Sequence, residues 1–365
     1  MGRLIIDARW LFTGIGAYTL NLVRGLHDSA LPVTLITLAE HREKLAPFGY
    51  DIVLKDASIY SFREQIEISR AARSYEVLHV PHYNAPVGRR KTLLVTIHDL
   101  THLLDETMGR SLKSRVYARP MLQHVAGRAD HIFTVSQYSK NKIVEHLGAD
   151  ACKVTVTHNS VPPHIYPESR EESRAHINQA FGFSGNYVLF VGNLKPHKNV
   201  SGLLKAFVVL RQHGKIDHKL LIIGDDRDNR SLFRRKAAEL DLFHHVVFAG
   251  SASDDDLRRA YSGADLTIMP SFEEGFGLPV IESMTCGTPV ACSNVASLPE
   301  VAGNAAEYFD PADTESMAAA VENVVLSNER WRELQNLGLR RSAQFNGRDF
   351  AQKHLSVYRQ FLAAR

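Results

Sequence analysis

Two glutamates and two lysines carry the most suggestive chemistry in this chain. Glu274 and Glu282 lie eight positions apart in the stretch Met269 to Cys286, with Gly275, Phe276, Gly277 and Leu278 between them. Lys195 and Lys198 stand in Gly192-Asn-Leu-Lys195-Pro-His-Lys198-Asn199. Carboxylates accept hydrogen bonds from hydroxyls, while ammonium groups and the amides of a glycine-containing turn neutralise phosphate. A ligand that is both sugar and phosphate suits such a set. The same residues also occur in ordinary solvated turns, and pattern alone leaves both readings open.

The elements that must hold these residues can be read from the flanking apolar runs. Leu266 to Met269 reads as the end of a buried strand, closed by Pro270. A loop follows, and Leu278 to Thr285 reads as a helix with Pro279 in its first turn, where proline is tolerated. Strand, glycine turn and helix start together aim N–H groups and a positive dipole end at an anion. The lysine turn has the same setting: Tyr187 to Val191 is a strand, and Asn199 or Ser201 caps the helix running through Leu210.

Alternation of strand and helix extends over the whole chain. In the first half, Arg3 to Trp10, Leu31 to Leu38, Asp51 to Leu54, Val77 to Pro81, Leu93 to Ile97, His131 to Val135 and Lys153 to Thr157 read as strands. Thr13 to Tyr18 reads as a glycine turn and Thr19 to His27 as the helix after it. His164 to Gly185 is polar, carries an amphipathic piece and is expected to contain the linker. Strands then resume at Lys219 to Ile223, Val246 to Ala249 and Pro289 to Cys292, and Phe350 to Leu362 is a final helix. Two βα-alternating blocks predict an α/β protein of two doubly wound, Rossmann-like parallel-sheet domains facing across a cleft. The boundaries fall at 1–172 and 173–345, with the closing helix at 346–365.

Composition narrows the class further. The 365 residues are 44% hydrophobic and 23% charged, the profile of a soluble globular protein. A net charge of +3 gives no argument for nucleic acid. Cys152, Cys286 and Cys292 form no CxxC pair, which fits a reducing compartment. No run approaches the roughly 18 apolar residues of a spanning helix, so a cytoplasmic protein is expected. Residues 1–170 hold 21 basic and 16 acidic side chains, against 22 and 24 in the remainder. Part of that excess lies in Thr107 to Ala129, where Arg110, Lys113, Arg115, Arg119 and Arg128 stand without an acidic residue. Such a helix is either a solvated face or a contact for anionic lipid headgroups, at the inner membrane face, or for a lipid diphosphate.

Weaker candidates come from the first half. Gly14-x-Gly16 is either a tight βα connection or a close approach to phosphate. His98 and Asp99 fall where a strand's carboxyl end is expected, the edge at which open α/β sheets bind ligands. The chain has 18 histidines, so His98 unaided is as readily structural. His79 and His82 form an HxxH pair without a carboxylate partner, which is thin support for a metal, and none is expected.

Glu274-x7-Glu282 within Ser271-Phe-Glu-Glu-Gly-Phe-Gly-Leu-Pro, followed by Gly287-Thr-Pro-Val, resembles the signature of retaining GT-B glycosyltransferases of family GT4. Asp7-Ala-Arg9 with Gly14-Ile-Gly16-x-Tyr18, Thr96-Ile-His98-Asp99, Val135-Ser136-x-x-Ser139, the lysine turn and Ser297-Leu-Pro-Glu300-Val match in order. The resemblance implies a nucleotide-sugar in the second domain, an acceptor in the first, and a final helix crossing back to the first. It places Glu274 at the donor sugar and Glu282 on the ribose hydroxyls. The amides around Gly275, Phe276, Gly277 and Leu278 would meet sugar and phosphate, and Lys195 and Lys198 the diphosphate. Asn193 stands where many members carry arginine, and Lys195 would compensate. His98 matches a histidine near the transferred sugar, and Gly16 a phosphate-side glycine. The implied reaction is metal-independent hexosyl transfer with retention, without a cofactor beyond the nucleotide-sugar.

The Asp7-Ala-Arg9 and Gly14-Ile-Gly16-x-Tyr18 opening resembles family members that use GDP-mannose, and this resemblance leans the donor toward GDP-mannose over UDP-glucose. A lipid-linked saccharide acceptor in cell-surface polysaccharide assembly is the expectation, with no nucleic acid partner. Alternatives are a non-catalytic nucleotide-sugar-binding subunit and a GT-B epimerase. A nicotinamide-dependent oxidoreductase is disfavoured, because Gly14-x-Gly16 lacks the third glycine of that fingerprint.

Overall fold

The computed structural model describes residues 2–11, 13–27, 29, 31–88, 91–104, 112–224 and 227–363. Among these residues the chain forms two all-parallel sheets. The first contains β1 (Leu4–Asp7), β2 (Val33–Thr37), β3 (Asp51–Leu54), β4 (Val77–Val80), β5 (Thr92–Thr96), β6 (His131–Thr134) and β7 (Val154–Val156), ordered β3-β2-β1-β4-β5-β6-β7. The second contains β8 (Tyr187–Val191), β9 (Lys219–Ile223), β10 (Val246–Gly250), β11 (Leu266–Met269), β12 (Val290–Ser293) and β13 (Ala306–Phe309), ordered β10-β9-β8-β11-β12-β13. Each sheet starts mid-way, winds outward, then crosses back to wind the other way. The reversal falls between β1 and β4 in one sheet and between β8 and β11 in the other. Crevices at the carboxyl ends beside such reversals are where doubly wound sheets bind ligands.

Two compact units result. The first comprises residues up to Leu104, those from 112 to Ser160, and those from Asn346 onward; the second runs from Val161 to Phe345. Both sheets are covered on both faces, so their strands are near-continuous apolar runs. In β8, Val188 and Phe190 enter one core with Leu203, Phe207 and Ile268, whereas Tyr187 and Leu189 enter the opposite core with Ile177 and Tyr261. Each such buried side chain contributes roughly 1.5–3 kcal/mol relative to exposure.

Several elements differ from the sequence expectation. The first helix is Thr13–Leu26, so the residues read as a glycine turn are already helical. Gly16 lies in that helix, and a Cβ there would stand 2.3 Å from the carbonyl carbon of Leu11. Its lack of a side chain is required by the sharp entry of the chain into the helix. Polar residues expected as linker form the helix Arg170–Phe181, capped by Ser169 and closed by Gly182 in the left-handed region. Strand β13 escaped notice, because Ala306–Phe309 contains Glu307 and is only partly buried. Of the basic segment, residues 107–111, including Arg110, lie outside the described residues, and the helix Leu112–Arg128 carries Pro120 in its interior.

The C-terminal helix Gly347–Ala363 belongs to the first unit. Gly25 admits it: a Cβ there would meet that of Ala351 at 2.6 Å. A buried polar chain fastens it. His354 Nδ1 donates to the Phe350 carbonyl at 2.8 Å, which leaves Nε2 to accept from Tyr18 Oη at 2.7 Å. Tyr18 Oη then accepts from Thr96 Oγ1, 3.0 Å, and Thr96 accepts from His79 Nε2, 3.0 Å. His79 Nδ1 closes the series by accepting from Tyr358 Oη at 2.6 Å. With both imidazoles kept neutral by burial, that acceptor-only carbonyl fixes the direction of every bond in the series. Burial pushes both down, His354 to about 3.

Candidate active site

In the second unit the sequence-predicted residues gather where the sheet reverses. The loop after β8 carries Lys195 and Lys198, and the loop after β11 carries Glu274. Lys198 Nζ donates to Glu274 Oε1 at 2.5 Å, and the two side chains are only 12% and 10% exposed. The lysine turn is fixed behind the pair by Asn199, which adopts the left-handed region (φ 55°) that asparagine tolerates. Its side chain accepts from Gly202 N at 3.1 Å and donates to the Pro311 carbonyl at 2.8 Å. Phe272 N donates to the His197 carbonyl at 2.8 Å, joining the two loops directly.

Sequence reasoning gave Lys198 to a diphosphate and did not foresee that it would hold Glu274. Nor did it single out Ser271 and Ser297. Ser271 Oγ donates to Glu274 Oε1 at 2.8 Å, and Ser297 Oγ donates to the Glu274 carbonyl at 2.9 Å. Both serines lie in quoted motifs, but nothing in their type distinguishes them from turn serines. Lys195 is half-buried; its amide donates to Asn193 Oδ1 at 3.3 Å, and among the described residues its ammonium forms no ion pair.

Gly277 starts the helix Leu278–Thr285 with φ 93°, and a Cβ there would lie 2.7 Å from Leu298 Cδ2. Glycine is therefore required both by conformation and by space. Phe276 is buried and packs edge-on against Phe345, with ring centres 5.6 Å apart. Glu282 faces inward from that helix and accepts from Tyr261 Oη at 2.8 Å. Burial raises its carboxyl to about 7, against the opposing pull of the tyrosine bond. The two glutamates are thus different instruments, one paired with an ammonium and one held by a phenol.

His98 and Gly16 belong to the first unit. His98 follows β5 and is half-buried; its Nε2 donates to the Pro81 carbonyl at 3.1 Å. A carbonyl cannot donate, so Nδ1 keeps a lone pair to offer. Burial holds the imidazole below its ordinary range despite the bond to Pro81, which favours the cation. Tyr18 packs edge-on against it at 4.8 Å, and Ser139 Oγ donates to its carbonyl at 3.0 Å. The HxxH histidines are separated in role: His79 is consumed by the buried chain described above, while His82 lies beyond the end of β4 and stacks on Trp10. Among the described residues, the group with ligand-like spacing is instead the surface trio His176, Asp255 and Asp256.

The family model described as Glycosyl transferases group 1 matches residues 173–340, and that described as Glycosyltransferase Family 4 matches residues 12–164. O-antigen chain mannosyltransferase B of Escherichia coli is 30% identical over 297 residues, which cover 79% of this chain and 76% of that protein. O-antigen chain mannosyltransferase RfbU of Salmonella typhimurium is 26% identical over 328 residues, covering 86% and 87%. Among solved structures, sucrose-phosphate synthase from Thermosynechococcus elongatus has a TM-score of 0.81 at 20% identity, covering 100% of both chains. HepE from Anabaena, solved with UDP and glucose, has a TM-score of 0.80 at 16% identity, covering 99% and 100%. The fold is GT-B. The chain belongs to the GT4 family of group 1 glycosyltransferases.

Proposed function

We propose that this chain transfers mannose from GDP-mannose, with retention at the anomeric carbon and without a metal, to a lipid-linked saccharide in cell-surface polysaccharide assembly. The observation that carries the reading is the Lys198–Glu274 pair at the reversal of the second sheet, beside a glycine loop that opens a helix. Named O-antigen mannosyltransferases among the relatives support the sugar and the setting.

The chemistry follows from what each group can do. The bond from the anomeric carbon to the diphosphate oxygen breaks as the acceptor oxygen bonds to that carbon from the same face, and the acceptor proton passes to the departing phosphate oxygen. Lys195, Lys198 and the helix start at Gly277 stabilise the charge that develops on the leaving group. Glu274 holds the sugar and stabilises positive charge at the anomeric centre. Glu282 receives the ribose hydroxyls, and His98 Nδ1 accepts from a sugar hydroxyl. On this reading the donor side comprises Gly16, Lys195, Lys198, Gly275, Phe276, Gly277, Leu278 and Glu282.

An apolar groove of about 680 Å³ on the first unit supports a lipid carrier. It is lined by Phe62, Ile66, Val87 and Met121 with Arg70 among them, and Phe62 is 81% exposed. The deciding experiment begins with thermal shifts of the purified chain against GDP-mannose and UDP-glucose, since a ligand at 100 times its Kd adds about 2.7 kcal/mol. Mannosyl product of retained anomeric configuration, formed in EDTA and only when acceptor is present, is the expected result. Product without acceptor would replace the reading by an epimerase, and no donor-dependent shift would sink it.

A further inference from the structure

We infer that the carboxyl edge of the first sheet carries a stacking shelf for a pyranose ring of the acceptor, built by Trp10, Tyr60, His82 and Tyr83. The ligand's role as acceptor rests on the glycosyl-transfer reading above; the binding itself does not.

Position is the first argument. The shelf stands where β1 and β4 lie side by side and the strand order reverses. Trp10 follows β1 and His82 follows β4, and their rings stack at 4.7 Å with an interplanar angle of 10°. Tyr60, from the segment after β3, meets Trp10 edge-on at 5.8 Å and His82 at 5.8 Å. Tyr83 continues the series 4.3 Å from His82, with its hydroxyl 3.3 Å from that of Tyr60. His98, from the neighbouring β5, is tied to the residue immediately before His82 by its bond to Pro81. The shelf therefore adjoins the first unit's candidate catalytic residue.

Construction is the second argument. Tyr60 has φ 66°, a left-handed conformation that an aromatic residue adopts at a cost of about 1–3 kcal/mol. It is held there, 42% exposed, by its amide donating to Glu64 Oε2 at 2.7 Å. Glu64 in turn accepts from Arg9 at 2.6 Å and from Asn84 at 2.6 Å, while Arg9 grips Asp7 through Nε and Nη2 at 2.9 and 2.7 Å. Asp7, Arg9, Glu64 and Asn84 are all buried. Buried ions are a costly way to fill a core, and here the ions of this set pair with one another while Arg9 also donates to the Ala57 carbonyl at 3.1 Å. Its effect is to fix Tyr60 outward and to anchor the turn that bears Trp10.

Chemistry is the third. Tyr60 is exposed and Trp10 and Tyr83 are half-buried, with the buried His82 stacked behind Trp10. The surface offered is therefore ring and hydroxyl, while Asp7, Arg9 and Glu64 are buried. That matches a neutral sugar, whose ring face of axial hydrogens is apolar and whose rim is hydroxylated, and it mismatches a diphosphate. Among the described residues the Trp10 indole N–H has no hydrogen-bond partner, and Trp10, with Asp7, Arg9, Glu64 and Asn84, lines a cavity of about 20 Å³. That space is sized for one hydroxyl or one water.

The two tryptophans of the chain make the test direct. In Trp331→Phe, Trp10 is the sole tryptophan. Titration with methyl α-mannoside and mannobiose is expected to change its emission saturably, and GDP is expected to leave it unchanged. Adding Tyr60→Gly, which suits the left-handed backbone and removes the ring, is expected to abolish the response. It should also raise acceptor KM at least tenfold with donor KM within twofold. A saturable response to GDP alone, or an unchanged acceptor KM in folded Tyr60→Gly, would overturn the shelf. A saccharide response in a chain that transfers no sugar would leave the shelf standing and remove the glycosyl-transfer reading.

Discussion

The two sheet reversals of this protein are geometrically alike and chemically opposite. At the second, an ion pair joins two loops: Lys198 and Glu274, only 12% and 10% exposed, are held by neighbouring turns. At the first, an equally tight ionic cluster is buried, and beside it stand the exposed ring of Tyr60 and the half-buried rings of Trp10 and Tyr83. The same topology thus sets an ion pair that joins two loops at one edge and an ionic cluster flanked by aromatic rings at the other. The contrast teaches that a doubly wound sheet supplies only the location of a site; which side of its charged residues is exposed decides whether that site suits an activated, anionic donor or a neutral sugar.

The contrast can be broken most sharply at Glu274. Glu274→Ala is expected to lower transfer at least a hundredfold, about 2.7 kcal/mol of barrier, while nucleotide still binds by calorimetry. Transfer above a tenth of normal would remove the carboxylate from the mechanism. Next comes Arg9→Met, which strands two buried carboxylates and should destabilise the chain by about 3–5 kcal/mol in denaturant titration. A loss below about 1 kcal/mol would mean that the cluster is not the support argued for it.

A smaller effect tests the second edge by pH. Glu282, raised to about 7, accepts from hydroxyls best when ionised, so donor affinity should strengthen several-fold from pH 6 to pH 8. Glu282→Gln should flatten that profile. In the free protein the sign is reversed: the native fold favours the neutral carboxyl, so stability from this group declines as pH climbs from 4.5 toward 7. The smallest effect is at the shelf. Tyr60→Gly relieves a left-handed aromatic backbone and should leave stability unchanged or higher by about 1 kcal/mol, read as a rise in Tm. A fall of 2 kcal/mol or more would show that the ring's packing outweighs its strain.

Much of this was legible in the sequence because it is local. Apolar runs with turn residues between them located the strands through β12, and the long loop motif located Glu274, Gly277 and Glu282 together with the helix they precede. What escaped is tertiary. No spacing rule joins Lys198 to Glu274 across 76 positions, or Arg9 to Glu64 across 55. Gly16 was read as turn chemistry because contact with the Leu11 backbone is invisible to periodicity. His79 and His82 looked like one pair, yet the end of β4 lies between them, leaving one in the core and the other, also buried, against Trp10 beyond the strand's carboxyl end.

The directed series from Tyr358 to the Phe350 carbonyl has a thermodynamic consequence for the C-terminal helix. A clasp in which every proton already has an assigned owner cannot accept another without coming apart. The unfolded chain suffers no such restriction, so acid favours it: as pH falls below 6.5, and down toward about 3 for His354, these two histidines should progressively erode the first unit's stability. The helix that closes the chain is thus fastened by neutrality, and mild acidity is the condition most apt to unbuckle it.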